Sequence, residues 1–338
     1  MIQQLVRKNI RNLVPYSSAR DEFKGNDAVF LDANENPFGK LNRYPDPYQR
    51  ELKFLLSEEK NIPENNIFIG NGSDEVIDLT LRIFCEPQQD KILICPPTYG
   101  MYEVSADINN IKTIKVPLTD DFQLDIPTVL ERIKTEPVKV VFLCSPNNPT
   151  GNSLNDIDVL LEKFNGIVVV DEAYIDFSER QSYLRKIKDY PNLIVSQTFS
   201  KAWGLAGARV GLAYATEEII AVFNRVKPPY NISQLNQQAA IETLKNKPEF
   251  KQNLTTILSE RKRLADELQQ LDFIQKIYAT DANFILVKIP DATEVYQQLV
   301  CQRIITRNRS SVISDCIRIT IGTPEENDLL INELKKHS

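Results

Sequence analysis

Between residues 67 and 214 the chain alternates short, nearly continuous apolar runs with stretches in which apolar residues recur every three or four positions. The runs at 67–69, 91–95, 111–116, 138–144, 167–170, 193–197 and 210–214 predict seven strands of a mostly parallel sheet covered on both faces. Between them, 73–84 places Val76, Ile77, Leu79, Thr80 and Ile83 on one helix face, and 155–164 does the same with Ile157, Leu160, Leu161 and Phe164. Both read as crossover helices of β-α-β units. After residue 231 the texture changes to long charged helical patterns at 233–245 and 248–271. A smaller α+β region follows, with strands expected at 283–288 and 316–321 and helices at 294–302 and 325–336. The pattern predicts an α/β protein with a large domain over 41–245 and a small domain built from 246–338 together with 1–40.

Composition narrows the class. With 42% hydrophobic and 25% charged residues in 338, the chain has the make-up of a soluble globular protein. A net charge of -6 argues against an electrostatic footprint for nucleic acid or acidic membrane, so local basic residues serve small anions. The first 23 residues carry Arg7, Lys8, Arg11 and Arg20 without an apolar signal core, and no later run reaches membrane-spanning length. Residence in the cytoplasm is the expectation. Cys85, Cys95, Cys144, Cys301 and Cys316 occur singly, which fits reduced thiols better than disulfides or a zinc site. The lone histidine, His337, is next to last, so Ser-His, Cys-His and His-ligated metal chemistry are all disfavoured and no metal is expected.

The remaining candidates cluster at strand ends, where ligands of open parallel sheets bind. Lys201 follows Thr198, Phe199 and Ser200 after one apolar run, Arg209 comes eight positions later, and Asp171 ends another run thirty positions earlier. These are the parts that hold pyridoxal phosphate: an amine for a Schiff base, an acid for a pyridine nitrogen, hydroxyls and a guanidinium for a phosphate. Gly70-Asn71-Gly72-Ser73-Asp74-Glu75 opens a helix whose amides suit a phosphate, or is a plain glycine turn with a Ser or Asp cap. Glu75 stands where a dinucleotide fingerprint needs its third glycine, which removes a dehydrogenase reading. In Pro97-Thr98-Tyr99-Gly100-Met101-Tyr102, position after a strand favours Tyr99 for stacking on a flat cofactor, with core packing as the alternative. Asn148, in Asn147-Asn148-Pro149-Thr150-Gly151, either serves turn geometry or donates to a phenolic oxygen.

Those motifs, with Asp171-Glu172-Ala173-Tyr174, Ser200-Lys201 and Arg209, resemble the fold-type I pyridoxal-phosphate-dependent aminotransferases over nearly the full length. Pro15-Tyr16-Ser17-Ser18-Ala19-Arg20, Asn34-Glu35-Asn36-Pro37, Arg43-Tyr44-Pro45-Asp46, Leu205-Ala206-Gly207-Ala208-Arg209 and Arg318-Ile319-Thr320-Ile321-Gly322 narrow the resemblance to the histidinol-phosphate aminotransferases. The resemblance implies Lys201 as Schiff-base lysine and proton shuttle, Asp171 on the pyridine nitrogen, Tyr174 and Asn148 on the ring oxygen, and Tyr99 stacked on the ring. It puts Ser73, Asp74, Thr198, Ser200 and Arg209 around the phosphate, with Tyr44 arriving from the other subunit of a homodimer. It implies substrate contacts from Tyr16, Asn36, Arg307 and Arg318, with Arg309 competing for the place of Arg307. The implied reaction is L-histidinol phosphate plus 2-oxoglutarate giving imidazole-acetol phosphate plus L-glutamate, run in reverse in histidine biosynthesis. An aromatic amino acid aminotransferase or a phosphothreonine decarboxylase are the neighbouring alternatives. A transcription regulator on the same fold would need a DNA-binding domain, for which some thirty residues ahead of Asn34 are too few.

Overall fold

A computed structural model describes residues 2–16 and 28–337; Ser17, Ser18, Ala19 and Arg20 of the Pro15-Tyr16 motif lie outside the described residues. All seven apolar runs of the first segment form strands: β1 Ile67–Asn71, β2 Lys91–Ile94, β3 Lys112–Lys115, β4 Val138–Cys144, β5 Ile167–Asp171, β6 Leu193–Thr198 and β7 Val210–Tyr214. They make one sheet in the order β1-β7-β6-β5-β4-β2-β3. The pairings among β2 to β6 are parallel, whereas β7 runs antiparallel to both β1 and β6. The connection explains the exception: only residues 199–209 join β6 to β7, and a parallel return needs a longer crossover. Because β7 reverses twice, β1 points the same way as the central strands, and its carboxyl end joins theirs on one edge.

The inner strands send alternate side chains to two different cores, while the edge strand β3 is largely exposed. Val141, Leu143, Val168, Val170, Leu193 and Val195 enter one, while Val140, Phe142, Ile167, Val169 and Ile194 enter the other. Burial on both faces is why these strands read as unbroken apolar runs instead of alternating ones. The helix Ser73–Phe84 fills the second core with Val76, Ile77, Leu79 and Ile83. The helix Ile157–Lys163 is shorter than its pattern, since Asp156 is left-handed and Phe164 extended.

The C-terminal sheet is antiparallel, ordered β10-β11-β9-β8, with β8 Lys276–Ile277, β9 Phe284–Lys288, β10 Arg307–Asn308 and β11 Cys316–Thr320. Its own core joins Ile285, Val287, Ile317 and Ile319 to Leu264, Leu299 and Leu330 of three helices. The helix Lys247–Leu268, about 33 Å long at 1.5 Å per residue, bridges the two units. Near its start Phe250 stacks on Trp203 of the β6–β7 loop at 3.9 Å, and near its end Leu268 lies in the C-terminal core. One grouping needs correction: the first residues do not go with the small unit. Ile2, Val6 and Ile10 are buried in the core behind the seven-stranded sheet, and Arg7 pairs with Glu86 at 3.1 Å, because this short amphipathic stretch covers the end of the helix Ser73–Phe84.

Candidate active site

Asp171 is the last residue of β5 and is nearly inaccessible. Its Oδ1 accepts from the Ala173 amide at 3.1 Å and its Oδ2 from the Tyr102 hydroxyl at 2.7 Å. Among the described residues it makes no ion pair, and the Lys201 charge acts on it only through space. Burial pushes its carboxyl up to about 6 even though both hydrogen bonds oppose that shift. Three residues on, Tyr174 is buried with its ring 5.4 Å from Lys201 Nζ. Lys201 sits half-buried in the tight β6–β7 loop, and burial, helped by Arg318, holds its amine below the usual lysine range. A lysine so placed gives up its proton more readily than an exposed one, which suits it to act as a nucleophilic amine.

From Tyr174 a polar chain leads to the second sheet. Asn148 lies 3.5 Å from the Tyr174 hydroxyl through Nδ2, and its Oδ1 accepts from Arg318 Nη1 at 2.5 Å. The neighbouring Asn147 braces this loop by donating to Pro97 O at 2.8 Å and to Thr150 Oγ1 at 2.7 Å. Arg318, on β11, lies over the Phe284 ring at 5.1 Å, and its Nε is buried without a partner. β10 sets Arg307 directly opposite Arg318, and the buried Nε of Arg309 is likewise unpartnered. Among the described residues, none of these three guanidinium groups has an ion pair. Burial lowers Arg318 and Arg309 from the ordinary arginine range, and neighbouring arginines add to this.

The other wall is an anion seat. The helix Ser73–Phe84 starts at Gly72 with no side chain capping its amides. Asp74 accepts from the Tyr99 hydroxyl at 3.1 Å and from Arg209 Nη2 at 3.4 Å, while Arg209 Nη1 reaches Ser200 Oγ at 3.3 Å. Thr198 donates to Ser200 Oγ at 3.0 Å. Two glycines allow this packing. A side chain on Gly72, at φ 75°, would stand 2.6 Å from Arg209 Nη2, and one on Gly211 would meet the Gly72 and Ser73 backbone at 2.2 Å.

The structure thus brings together Lys201, Asp171, Tyr174, Asn148, Tyr99, Ser73, Asp74, Thr198, Ser200, Arg209 and Arg318, with Arg307 and Arg309 at the edge. Tyr16 and Asn36 are exposed, and Tyr44 is half-exposed and stacked on Tyr230 at 4.4 Å. Sequence reasoning missed Tyr102 and Gly211. Tyr102 carries a signal in its spacing three residues after Tyr99, whereas Gly211, inside a strand, shows its purpose only through the turn folded against it.

Pyridoxal phosphate fits these residues on three observations: the uncapped helix start beside Arg209, the glycine that leaves room for that arginine, and the buried Asp171 carboxylate, which makes no ion pair among the described residues. Fold and site define a pyridoxal-phosphate-dependent enzyme of fold type I. The chain belongs to the aminotransferase class I and II family, whose pattern matches residues 20–334. It is 51% identical over 342 residues to the histidinol-phosphate aminotransferase of Flavobacterium johnsoniae, covering 99% of this chain and 98% of that one. It is 52% identical over 339 residues to the enzyme of that description from Parabacteroides distasonis, at 99% and 98% coverage. Among solved structures it resembles the histidinol-phosphate aminotransferase of Clostridium acetobutylicum, with 27% identity, a TM-score of 0.80 and coverage of 88% and 91%. The enzyme of Sinorhizobium meliloti, solved in complex with pyridoxal-5'-phosphate, shares the fold at 24% identity, a TM-score of 0.79 and 90% coverage of each chain. No helix among the described residues is long and apolar enough to cross a membrane.

Proposed function

We propose that this chain moves an amino group between L-histidinol phosphate and 2-oxoglutarate, giving imidazole-acetol phosphate and L-glutamate, and serves L-histidine biosynthesis in the reverse sense. The observation that carries the substrate reading is the positively charged corner formed by the exposed Arg307 and the partly buried Arg309 and Arg318, none of which makes an ion pair among the described residues. One pocket must take a phosphate monoester and a carboxylate in turn, and guanidinium groups bind either anion with paired hydrogen bonds. The relatives at about half identity over the full chain bear the same description.

Bound at this site, pyridoxal phosphate supplies an electron sink for the bond cleaved next to the substrate nitrogen. Lys201 Nζ, with its depressed basicity, would take up and release the proton of the substrate carbon. Asp171 would hold a proton at the ring nitrogen, and its burial would strengthen that interaction. Tyr174 and Asn148 orient the ring oxygen, and Tyr99 covers one face. Ser73, Asp74, Thr198, Ser200 and Arg209 hold the phosphate, and Arg318 receives the substrate anion.

A homodimer completes the reading. Val14, Val29, Leu31 and Phe38 are each more than 80% exposed, and so much apolar surface in one segment favours a covering partner. Tyr44, in the same segment, then reaches the partner's cofactor phosphate, and Tyr16 and Asn36 approach substrate on assembly. The domain division is part of the proposal, with the first residues joined to the large, cofactor-binding unit and the small unit closing over the site. Five free cysteines, four of them buried, favour the cytoplasm. The test is an assay with four substrates: histidinol phosphate, an aromatic amino acid and glutamate as amino donors, and phosphothreonine for carbon dioxide release. Higher kcat/KM on an aromatic donor, or release of carbon dioxide, overturns the proposal.

A further inference from the structure

Tyr102 lies in the first turn of the helix Met101–Ile108, after β2, and reaches past β4 to the end of β5. Its side chain is fully buried, its ring stacks on Phe142 at 4.9 Å and 13°, and Tyr99 meets it edge-on at 5.6 Å. Those contacts hold the ring without any need for the hydroxyl. A phenol buried for packing alone would carry a desolvation cost that phenylalanine avoids. The hydroxyl is satisfied by donating to Asp171 Oδ2 at 2.7 Å, on the side of the carboxylate opposite the Ala173 amide.

We propose that Tyr102 is a positioning residue for the reaction: its hydroxyl fixes Asp171 and keeps that carboxylate ionised, so that the proton shared with the cofactor resides on the ring nitrogen and not on the acid. This rests on the reading of Asp171 as the ring-nitrogen partner. The physical reason is a competition at one buried atom pair. Burial favours the neutral acid, and each hydrogen bond donated to the carboxylate opposes it. With Tyr102 gone, the Ala173 amide and the through-space charge of Lys201 are left to oppose burial and the Asp74 charge, so the acid becomes the better base, takes the proton itself, and leaves a neutral ring that withdraws electrons less well.

The test compares wild type with Tyr102→Phe and Asp171→Asn. In the cofactor-free protein, carbon-13 NMR of the Asp171 carboxyl should show its midpoint rising by about one pH unit or more in Tyr102→Phe. In the holoenzyme loaded with ring-15N pyridoxal phosphate, the nitrogen signal should move toward the neutral-pyridine position. The half-reaction with glutamate should slow about tenfold in kcat with KM little changed. A more acidic phenol, 3-fluorotyrosine placed at position 102 alone, should move both NMR signals the other way and keeps the test open if the phenylalanine variant folds poorly. Unmoved carboxyl and nitrogen signals in both position-102 variants, with the protonated-ring signal lost in Asp171→Asn, overturn the proposal and leave the Asp171 reading intact. An unchanged nitrogen signal in Asp171→Asn overturns both.

Discussion

Replacing Arg318 by lysine should impair both substrates together. The guanidinium already gives Nη1 to Asn148 at 2.5 Å, while its buried Nε has no partner, so the edge left for an incoming anion is the one that includes Nε. A phosphate or carboxylate taking that edge gains two parallel charge-assisted hydrogen bonds. Lysine keeps the charge and loses the fork, the tie to Asn148 and the planar contact with Phe284. Loss of a charge-assisted pair costs about 1.5 to 3 kcal/mol, or roughly 10- to 150-fold in kcat/KM. Steady-state kinetics of Arg318→Lys, with glutamate and with histidinol phosphate measured separately, read this directly. A cofactor titration separates it from slackening of Asn148, which would show as weaker cofactor binding. If one substrate falls and the other is unaffected, shared recognition by Arg318 is wrong, and Arg307 or Arg309 reads the spared anion. If neither falls, the anion seat lies elsewhere.

Three further outcomes follow from the geometry. Lys201→Ala should still bind pyridoxal phosphate through the helix start, Arg209 and Asp171, yet lose transamination by several orders of magnitude; near-normal turnover removes Lys201 from its role. Gly211→Ala forces a methyl to 2.2 Å from the Gly72–Ser73 backbone, so it should cost more than the usual 1 to 3 kcal/mol of overpacking and weaken cofactor affinity; an unchanged melting temperature and dissociation constant would falsify that contact. Glu172 is buried behind the site, accepting from the Tyr183 amide at 2.7 Å and Gln197 at 2.9 Å, and burial pushes it up to about 7. Since the folded state then holds the proton more tightly than the unfolded one, this group's contribution to stability is largest at low pH and declines as pH rises between about 4.5 and 7. Denaturant unfolding of wild type and Glu172→Gln across that range should give a stability difference that changes by a few kcal/mol, and a constant difference refutes the assignment.

Most of the seven-stranded sheet was legible in the sequence because its inner strands, buried on both faces, are written as plain apolar runs, and the helix Ser73–Phe84 because its apolar spacing and the Gly72 turn agree. The strand β10 was not legible, since two residues carry no period, although it is what sets Arg307 opposite Arg318. The sequence also placed the first residues with the wrong unit, because an amphipathic stretch as short as Ile2, Val6 and Ile10 does not say which core it will cover.

Residue types and strand-end positions by themselves determined the chemistry: an amine, an acid and a phosphate-binding arginine, each next to an apolar run. What only the tertiary structure decided is how these groups meet across strands distant in sequence. Tyr102 bonds Asp171 across 69 positions, Arg318 bonds Asn148 across 170, and Gly211 is required by a turn formed some 140 residues earlier. Local pattern records what each segment buries, and it carries no signal for which partner a buried polar atom will find. That pairing follows from strand order and register, which arise only when the two sheets and the helix bridging them pack together.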